Sequence, residues 1–441
     1  MPTPSTAAEH IQDLGAYVSA SPSSFHTVHE AARRLDAADF TGLDELQSWP
    51  EPGAATAATA GKFYVIRDGA LIAWVVPPGA GPATGFNILG AHTDSPSFKL
   101  KPKPTTGKFG WLQAGVEVYG GPLLNSWLDR ELQLAGRLVM RDGTQHLTAT
   151  GPLLRFPQLA IHLDRAVNDG LALDKQQHMN PVYGLGDPAG EDLLGLLADR
   201  VAGASVDPAQ IGGYDVVIAD TQAPAVFGAR GEFFASGRLD NLSATHAGLT
   251  ALIAHAGTPL PDGAPIAVLA AFDHEEIGSA SRSGACGPIL EDVLVRISDG
   301  LGASASQRRQ AFAASFCVSA DAGHAVHPNY PERHDPANRP VLNGGPLLKI
   351  NANQRYATDA PGAALWARLC TDAGIPYQEF VSNNVMPCGS TIGPLTATRL
   401  GIRTVDVGVP LLSMHSAREL CGVQDPHRLA TVTRTFFRTA A

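Results

Sequence analysis

The sequence predicts an α/β fold in which a mostly parallel sheet, flanked by helices, is interrupted by a β-rich inserted domain. Apolar strands alternate with amphipathic helices in both the first and the last part of the chain, a rhythm typical of parallel sheets. In the middle, Gly and Pro punctuate short alternating strands instead. We therefore expect a main domain in two parts, 1–94 and 233–441, and an inserted domain over 95–232.

The first part of the main domain is expected to contain two helices, a hairpin and a buried strand. Apolar residues recur at helical spacing over 6–17 and 25–35, and Ser24 is expected to cap the second helix. The run KFYVIRDGALIAWVVP then predicts two strands joined by a turn at Asp68-Gly69. The apolar strand FNILGA follows before the chain becomes polar.

Short strands are expected in the insertion, and a helix followed by apolar strands is expected in the second part of the main domain. In the insertion, LQLAGRLVM and TQHLTATGPLL, around Asp142-Gly143, are expected to be short alternating strands. In the second part of the main domain a helix is expected from Leu242 to His255. The strands expected after it are PIAVLAAF, FCVSA, LLKINAN and RTVDVGV.

Composition excludes several classes of partner. The chain has 441 residues, 44% of them hydrophobic, and a formal net charge of -10, which argues against nucleic-acid and anionic-membrane partners. No segment reaches the roughly 18 apolar residues of a membrane span, and we expect a cytoplasmic protein. The cysteines are odd in number and contain no C-x-x-C pair, so reduced thiols are expected at Cys286, Cys317, Cys370, Cys388 and Cys421.

Potential metal ligands follow the expected strands of the main domain. Ligand sites in open α/β sheets form outside the carboxyl ends of the strands, so these side chains are expected to converge on one crevice. One such residue alone would more often be a cap or turn residue, but the position recurs four times. The residues are His92 and Asp94 after FNILGA, Glu275 and Glu276 after PIAVLAAFDH, Asp321 after FCVSA, and His415 beyond RTVDVGV.

The types of ligand indicate a hydrolytic metal site. Imidazole and carboxylate without thiolate favour zinc, with manganese or cobalt as alternatives. In the pair Glu275-Glu276 one carboxylate can bind metal while its neighbour accepts a proton, although an isolated Glu-Glu pair is more often a solvated turn. The helical H-E-x-x-H motif fails because Gly278 stands where its second histidine belongs. The chain also lacks a G-x-S-x-G elbow and a phosphate-binding G-x-x-x-x-G-K-[ST] loop.

Motifs along almost the whole chain closely resemble those of the aspartyl aminopeptidase family of di-zinc metallopeptidases. They include GAHTDSP (90–96), RLDNLSA (238–244), FDHEEIGS (272–279), FPQLAIHLDRAVN, SADAGHAVHPNYPERHDP, KINANQRYATD and SMHSARE. The resemblance implies that the two-part main domain is a zinc-peptidase-like catalytic domain and that the insertion serves dimerisation. One small departure is Ala322, where the family pattern has methionine.

The resemblance also implies a role for each candidate residue. Two zinc ions per subunit would be bridged by Asp240, with a cis peptide bond after it. Asp94 would orient His92 by accepting its second ring N–H, and Glu275 would be the general base. The remaining ligands would be His92 and Asp321 for the first ion, and Glu276 and His415 for the second.

Substrate recognition is implied in the same way. The family removes an acidic residue, Asp or Glu, from peptide N-termini and assembles as tetrahedral dodecamers. In it, the position matching His162, in the insertion, reaches into the active site of a neighbouring subunit. Lys349 would meet the substrate carboxylate, although a lone strand-end lysine is usually just solvated. The other substrate contacts implied are His324, Tyr356 and Met414.

Two alternatives stay open at this point. The first is a di-metal hydrolase of other substrates, such as a neutral aminopeptidase or a deacylase of N-acyl amino acids. The second is a catalytically silent assembly or binding protein that kept the fold, and such a protein would show a lost ligand or base. All five implied ligands and Glu275 are present. Nine further histidines, His334 among them, are expected to be ordinary surface or core residues.

Overall fold

The computed structural model describes residues 4–49, 61–260 and 263–439. Within these ranges the chain forms nine α-helices, which in chain order are α1 (Ala7–Ala20), α2 (Ser24–Asp36), α3 (Leu193–Ala198), α4 (Leu239–Ala256), α5 (Ile289–Gly300), α6 (Ala305–Ala313), α7 (Ala360–Ala373), α8 (Ile392–Leu400) and α9 (Asp425–Arg438). No helix in the described part of the chain is both long and apolar enough to cross a membrane.

The strands of the described ranges belong to three sheets. In chain order they are β1 (Thr41–Gly42), β2 (Gly61–Arg67), β3 (Ala70–Val76), β4 (Phe86–His92), β5 (Ser97–Lys108), β6 (Trp111–Tyr119), β7 (Leu132–Met140), β8 (Gln145–Ala149), β9 (Val182–Leu185), β10 (Ile211–Asp220), β11 (Ala225–Phe227), β12 (Phe233–Ser236), β13 (Ile266–Phe272), β14 (Phe316–Ala320), β15 (Gly323–His324), β16 (Leu347–Ile350), β17 (Gln378–Val381), β18 (Arg403–Gly408), β19 (Pro410–Leu412) and β20 (Glu419–Gly422).

The largest sheet has nine strands in the order β1-β2-β3-β13-β4-β14-β18-β16-β17. Its centre, from β13 through β4 and β14 to β18, is parallel throughout. The outer pairs β1-β2 and β16-β17 are also parallel, whereas β2-β3, β3-β13 and β18-β16 are antiparallel. The expectation of an α/β fold with a mostly parallel sheet is confirmed.

Helices cover both faces of this sheet. On β3, Leu71, Ala73 and Val75 pack into one core and Ile72 and Trp74 into the other, because successive side chains of a strand point to opposite faces. The first core is completed by α1, α2, α4, α7 and α9, and the second by α5, α6 and α8. The central strands are buried on both sides, which explains their uninterrupted apolar sequences.

The opening elements follow the prediction with one correction. The two helices form, and β2 and β3 make the expected antiparallel hairpin around Asp68-Gly69. The cap of α2 is Ser23 and not Ser24: Ser23 is extended, and its side chain accepts a hydrogen bond from the backbone of His26. Ser24 is already the first helical residue. Two adjacent serines cannot be separated by residue type, because only the backbone conformation decides which one is the cap.

The middle of the chain folds as a separate six-stranded sheet, in the order β8-β7-β10-β5-β6-β9, with antiparallel pairing throughout. Its strands lie between Ser97 and Asp220. It has its own core, in which the ring of Phe98 contacts those of Trp127 and Phe156. A third sheet has five strands in the order β11-β12-β20-β19-β15. Several of these strands are close in sequence to the candidate metal ligands.

Candidate metal centre and active site

The candidate ligands gather at one edge of the nine-stranded sheet. β4 ends with His92, β14 is followed directly by Asp321, and β13 is followed by the segment 273–276. β18 leads through the short strand β19 to His415. Because β13, β4, β14 and β18 are parallel neighbours, their carboxyl ends lie side by side. The convergence expected from the sequence is therefore present in the fold.

Asp240 lies between two groups of potential ligands. On one side, His92 Nε2 is 3.4 Å from Asp240 Oδ1 and 3.2 Å from Asp321 Oδ1. On the other side, His415 Nε2 is 3.4 Å from Asp240 Oδ2 and 3.5 Å from Glu276 Oε2. In each group the ligand atoms lie within 4.8 Å of one another. One carboxylate thus faces both groups, with one oxygen toward each.

The backbone around Asp240 is irregular at the start of α4. Asp240 and Asn241 depart from helical dihedral angles, and the peptide bond between them is cis, as the family resemblance implied. The Asn241 side-chain amide donates to the carbonyl of Ala320, the last residue of β14, at 2.8 Å. This contact ties the segment that carries Asp240 to the strand that precedes Asp321.

Both histidines are oriented by backbone carbonyls. Nδ1 of His92 is 3.1 Å from the carbonyl oxygen of Asp94, and Nδ1 of His415 is 3.0 Å from that of Gly121. A ring whose Nδ1–H donates to these oxygens keeps Nε2 free as a ligand atom. The Asp94 carboxylate, which the resemblance implies as the acceptor for His92, also lies close to this ring, with its Oδ1 3.4 Å from Nδ1.

The Asp94 carboxylate also holds the loop that carries the two glutamates. Its oxygens accept hydrogen bonds from the backbone N–H groups of Glu275 at 3.0 Å and Glu276 at 3.1 Å. The hydroxyl of Tyr119 donates to the same carboxylate at 2.7 Å. Tyr119 ends β6 of the six-stranded sheet, so a residue of the middle of the chain helps to position the loop after β13.

Glu275 lies beside the ligand groups without belonging to the two that share Asp240. Burial raises the pKa of Glu275 to about 8, and the carboxylates of Asp321 and Asp240 add to this increase, while His92 opposes it. His274, before it, adopts a left-handed conformation with φ of 64°, which is uncommon for a residue with a Cβ. Its Nδ1 is 2.9 Å from the Ser281 hydroxyl, which fixes the ring outside the ligand groups.

Glu419 is a buried carboxylate that the sequence analysis did not identify. It accepts hydrogen bonds from the backbone N–H groups of Asp240, at 2.9 Å, and His415, at 2.7 Å. Burial raises its pKa to about 8, and the neighbouring charge of Asp240 contributes. Glu419 joins the two chain segments that meet at the second ligand group. The motif SMHSARE contains it, but nothing in its spacing marks it as different from a surface glutamate.

The donor set fits metal cations. Among the described residues, Oδ1 of Asp240 and Oε1 of Glu276 are buried without a hydrogen-bond partner. Burial and the charge of Asp240 raise the pKa of Glu276 well above its ordinary value. Burial alone would lower the pKa of His92, yet the carboxylates of Asp240 and Asp321 raise it well above the usual range. These shifts show carboxylates crowded without enough positive charge, which metal ions would supply.

A cavity of about 360 Å³ opens beside the ligand groups. Its walls include the candidates His324, Lys349, Tyr356 and Met414, so four of the five substrate contacts implied by the resemblance lie together. His162 is exposed and is not among the residues that line this cavity within its own chain. The resemblance implies that His162 reaches the cavity of a neighbouring subunit, and this role stays a prediction.

Lys349 is more deeply buried than a strand-end lysine is expected to be, with 2% of its surface exposed. Its ammonium donates to the carbonyl of Ala322 at 2.7 Å and is 3.6 Å from Asp321 Oδ2. It also lies 5.4 Å from the centre of the Tyr356 ring. The lysine therefore offsets the charge of a candidate metal ligand, and its contact with a substrate carboxylate remains a prediction.

The sequence is similar to a known protein family along nearly its whole length. The family model described as aminopeptidase I zinc metalloprotease (M18) matches residues 17–437. A protein of Streptomyces coelicolor named probable M18 family aminopeptidase 2 is 52% identical over 434 residues, which cover 97% of this chain and 98% of the relative. The sequence similarity therefore extends over both the nine-stranded and the six-stranded sheet.

Solved structures give the same result. The cryo-EM structure of the Ape4 and Nbr1 complex contains a chain that matches with a TM-score of 0.93 and 37% identity, covering 99% of this chain and 88% of the other. The structure of the S. cerevisiae mApe1 dodecamer matches with a TM-score of 0.83 and 29% identity, covering 97% and 96%. Both matches span all three sheets.

Proposed function

Because the chain belongs to the M18 family of zinc metallo-aminopeptidases, a family of hydrolases, we propose that it releases N-terminal Asp or Glu from peptides with two zinc ions per subunit. The observation that carries the proposal is the position of Asp240, with one carboxylate oxygen toward each of two ligand groups. A protein with a single metal site has no need for a ligand placed in this way.

In this proposal His92 and Asp321 complete the first metal site, Glu276 and His415 complete the second, and Asp240 is shared. The ligands are imidazole and carboxylate, which suit zinc and also admit manganese or cobalt. When bound, two zinc ions would polarise the scissile carbonyl and lower the pKa of the attacking water.

Glu275 is the general base and then the general acid. Its carboxylate takes a proton from the attacking water and returns it to the nitrogen of the leaving peptide. Asp94 fixes the backbone of Glu275, and Tyr119 fixes Asp94, so the proton acceptor has a defined position. A residue that must hold a proton between two steps benefits from a raised carboxyl pKa, and burial at this position acts in that direction.

Self-association is the second part of the proposal. Large apolar side chains stand exposed on the six-stranded sheet and the loop beside it, among them Phe109 (91% exposed), Leu163 (73%) and Leu185 (72%). We propose that another subunit covers these side chains in the assembled protein. We propose a homo-dodecamer in the cytoplasm, the assembly that the mApe1 structure has, in which His162 completes the active site of a neighbouring subunit.

A panel of aminoacyl anilides tests the proposed activity directly. With zinc supplied, we expect cleavage of Asp- and Glu-anilides and at least about tenfold lower kcat/KM for Leu- and Ala-anilides, because a charge-assisted contact to the substrate carboxylate contributes about 1.5–3 kcal/mol. N-acyl anilides should not be cleaved. Equal rates on Asp and Leu substrates would show a neutral aminopeptidase instead.

The same assay after chelation measures metal dependence. Treatment with a strong chelator should remove turnover, and zinc, manganese or cobalt should restore it, since the ligand atoms are present in the folded chain. Metal analysis should give two ions per subunit in the active protein. Full activity in protein free of metal would contradict the proposal.

His162→Ala tests the shared active site. The variant should keep its metal and its assembly but lose acidic-substrate cleavage, because the side chain would no longer reach the neighbouring site. His29→Ala, which removes an exposed histidine from α2, is the matched control and should behave as wild type. Sedimentation measured alongside decides the assembly: an active, acid-selective monomer would rule out the shared site while leaving the metal chemistry intact.

A further inference from the structure

The cavity beside the ligand groups has two walls that come from separate parts of the chain. One wall carries Tyr356, which follows β16, and the other is the segment 382–391 between β17 and α8. The two walls meet where Cys388 packs against the cluster that contains Tyr356 and Phe380. Neither Tyr356 nor the segment 382–391 lies in a helix or strand, so their positions depend on contacts outside the regular sheet.

The carboxylate of Asp406 joins the two walls. Asp406 lies on β18, is 0% exposed, and is not among the residues that line the cavity. Its Oδ2 accepts a hydrogen bond at 2.6 Å from the backbone N–H of Ala357, the residue after Tyr356. Its Oδ1 accepts one at 2.7 Å from the hydroxyl of Thr391. One oxygen is thus bound to each wall, and a buried carboxylate without such partners would be costly.

Thr391 departs from the usual role of a threonine at its position. It precedes α8 with an extended backbone, as an N-cap residue does, but its side chain makes no capping hydrogen bond to the helix. A cap threonine ordinarily accepts a backbone N–H of the first turn, whereas this hydroxyl donates to Asp406. The start of α8 lies directly on the carboxylate, since a Cβ at Gly393 would overlap both of its oxygens. A local rule broken in this way is typical of functional sites.

The backbone of Asp406 makes a further contact with the wall that carries Tyr356. Its N–H donates to the hydroxyl of Thr358 at 3.0 Å. Thr358 is buried and does not line the cavity. Because β18 pairs with β14 along its length, these hydrogen bonds tie both walls to a fixed strand of the nine-stranded sheet.

We propose that Asp406 is a positioning residue that holds the two walls of the cavity at a fixed distance for substrate binding, a proposal that rests on the function proposed above. Asp406 has no exposed surface and therefore acts through the walls, without touching the substrate. Walls that are already ordered reduce the cost of binding. Losing these contacts should weaken substrate binding more than the chemical step, because the candidate metal ligands and Glu275 do not take part in them.

Substitutions of the two threonines test this role with little change in shape. Thr391→Val and Thr358→Val each remove a hydroxyl that binds Asp406. Each should raise KM for the preferred anilide by about 10- to 100-fold, because a displacement of about 1 Å in a site can cost about 10²-fold. The reacting groups stay in place, so kcat should remain within about threefold of wild type. Thr391→Ser and Thr358→Ser keep the hydroxyl and should recover most of the loss.

Substitutions of Asp406 examine the same contacts from the carboxylate. Asp406→Ala removes both side-chain contacts and should raise KM at least as far. Asp406→Asn should recover most of the loss, since its amide can accept from Ala357 and donate to Thr391. The matched control is Thr371→Val, which removes an exposed hydroxyl from α7 and should match wild type. Metal content and thermal unfolding are measured for every variant, because a purely structural role would lower the unfolding temperature and leave KM unchanged.

The outcomes separate this inference from the function on which it rests. If wild type cleaves aminoacyl anilides and the folded valine variants keep its KM, Asp406 does not position the walls, and the proposed function stands. Loss of metal in these variants would place the effect at the metal site and would also overturn the inference. If wild type cleaves no aminoacyl anilide, both fail. Thr358→Val, whose side chain lies outside the cavity, decides the question if Asp406→Ala does not fold.

Discussion

Glu275→Gln should reduce kcat by about 10²- to 10⁴-fold while leaving metal content unchanged. Gln keeps the size of the side chain, but its amide cannot take a proton from water. The backbone N–H of residue 275 can still donate to Asp94, and the carbonyl of residue 275 is likewise retained, so the loop is expected to keep its position. Steady-state kinetics with Asp-anilide and metal analysis of the purified variant measure the two quantities.

The comparison variant for this experiment is Glu191→Gln, which removes an exposed carboxylate just before α3. It should match wild type in both measurements. A Glu275→Gln protein that retained more than about a tenth of the wild-type kcat would exclude Glu275 as the proton acceptor, since a general base contributes at least ~10²-fold. Loss of metal in the same variant would place Glu275 among the ligands.

Asp240→Asn should lose metal first and activity as a consequence. The substitution removes the negative charge that faces both His92 and His415, and with it the one carboxylate shared by both ligand groups. Removing residues that only orient ligands already costs 10- to 100-fold in metal affinity or activity, so a shared ligand should cost at least about 100-fold. Titration of the metal-free variant with zinc, followed by calorimetry, gives the affinity.

Asp372→Asn is the matched control, because Asp372 is exposed near the end of α7 and far along the chain from every ligand. If Asp240→Asn bound two zinc ions as tightly as wild type, the shared-ligand assignment would be wrong. If it behaved like Glu275→Gln, with metal retained and only the rate lost, the roles of base and bridge would have to be exchanged.

Much of the site could be predicted from sequence because parallel strands end at a common edge. His92 and Asp321 follow apolar strands that the sequence shows clearly, and in the fold these strands are β4 and β14, which are neighbours. The pair Glu275-Glu276 follows β13 in the same way. Asp240 was different, since it lies at the start of a helix and only the motif RLDN identified it.

Other contacts could not be predicted because they join segments that are distant along the chain. Glu419 receives backbone N–H groups from Asp240 and His415, a role that no local pattern encodes. No local pattern marks Tyr119 as a site residue, and its hydrogen bond to Asp94 depends on how the six-stranded sheet lies against the nine-stranded one. For Lys349 the sequence suggested a substrate contact, and the structure adds its contact with Asp321.

The sequence by itself determined the fold class, the family and the chemical type of the ligands, because strand patterns, motifs and donor atoms are local properties of the chain. Only the tertiary structure decided which oxygen of Asp240 faces which histidine, which carbonyl orients each imidazole ring, and which carboxylate faces Lys349. These features depend on distances of a few ångströms between residues up to 294 positions apart, as in the contact of His415 with Gly121. Hydrogen bonds and ion pairs act only at such distances, so the packing of the whole chain sets them.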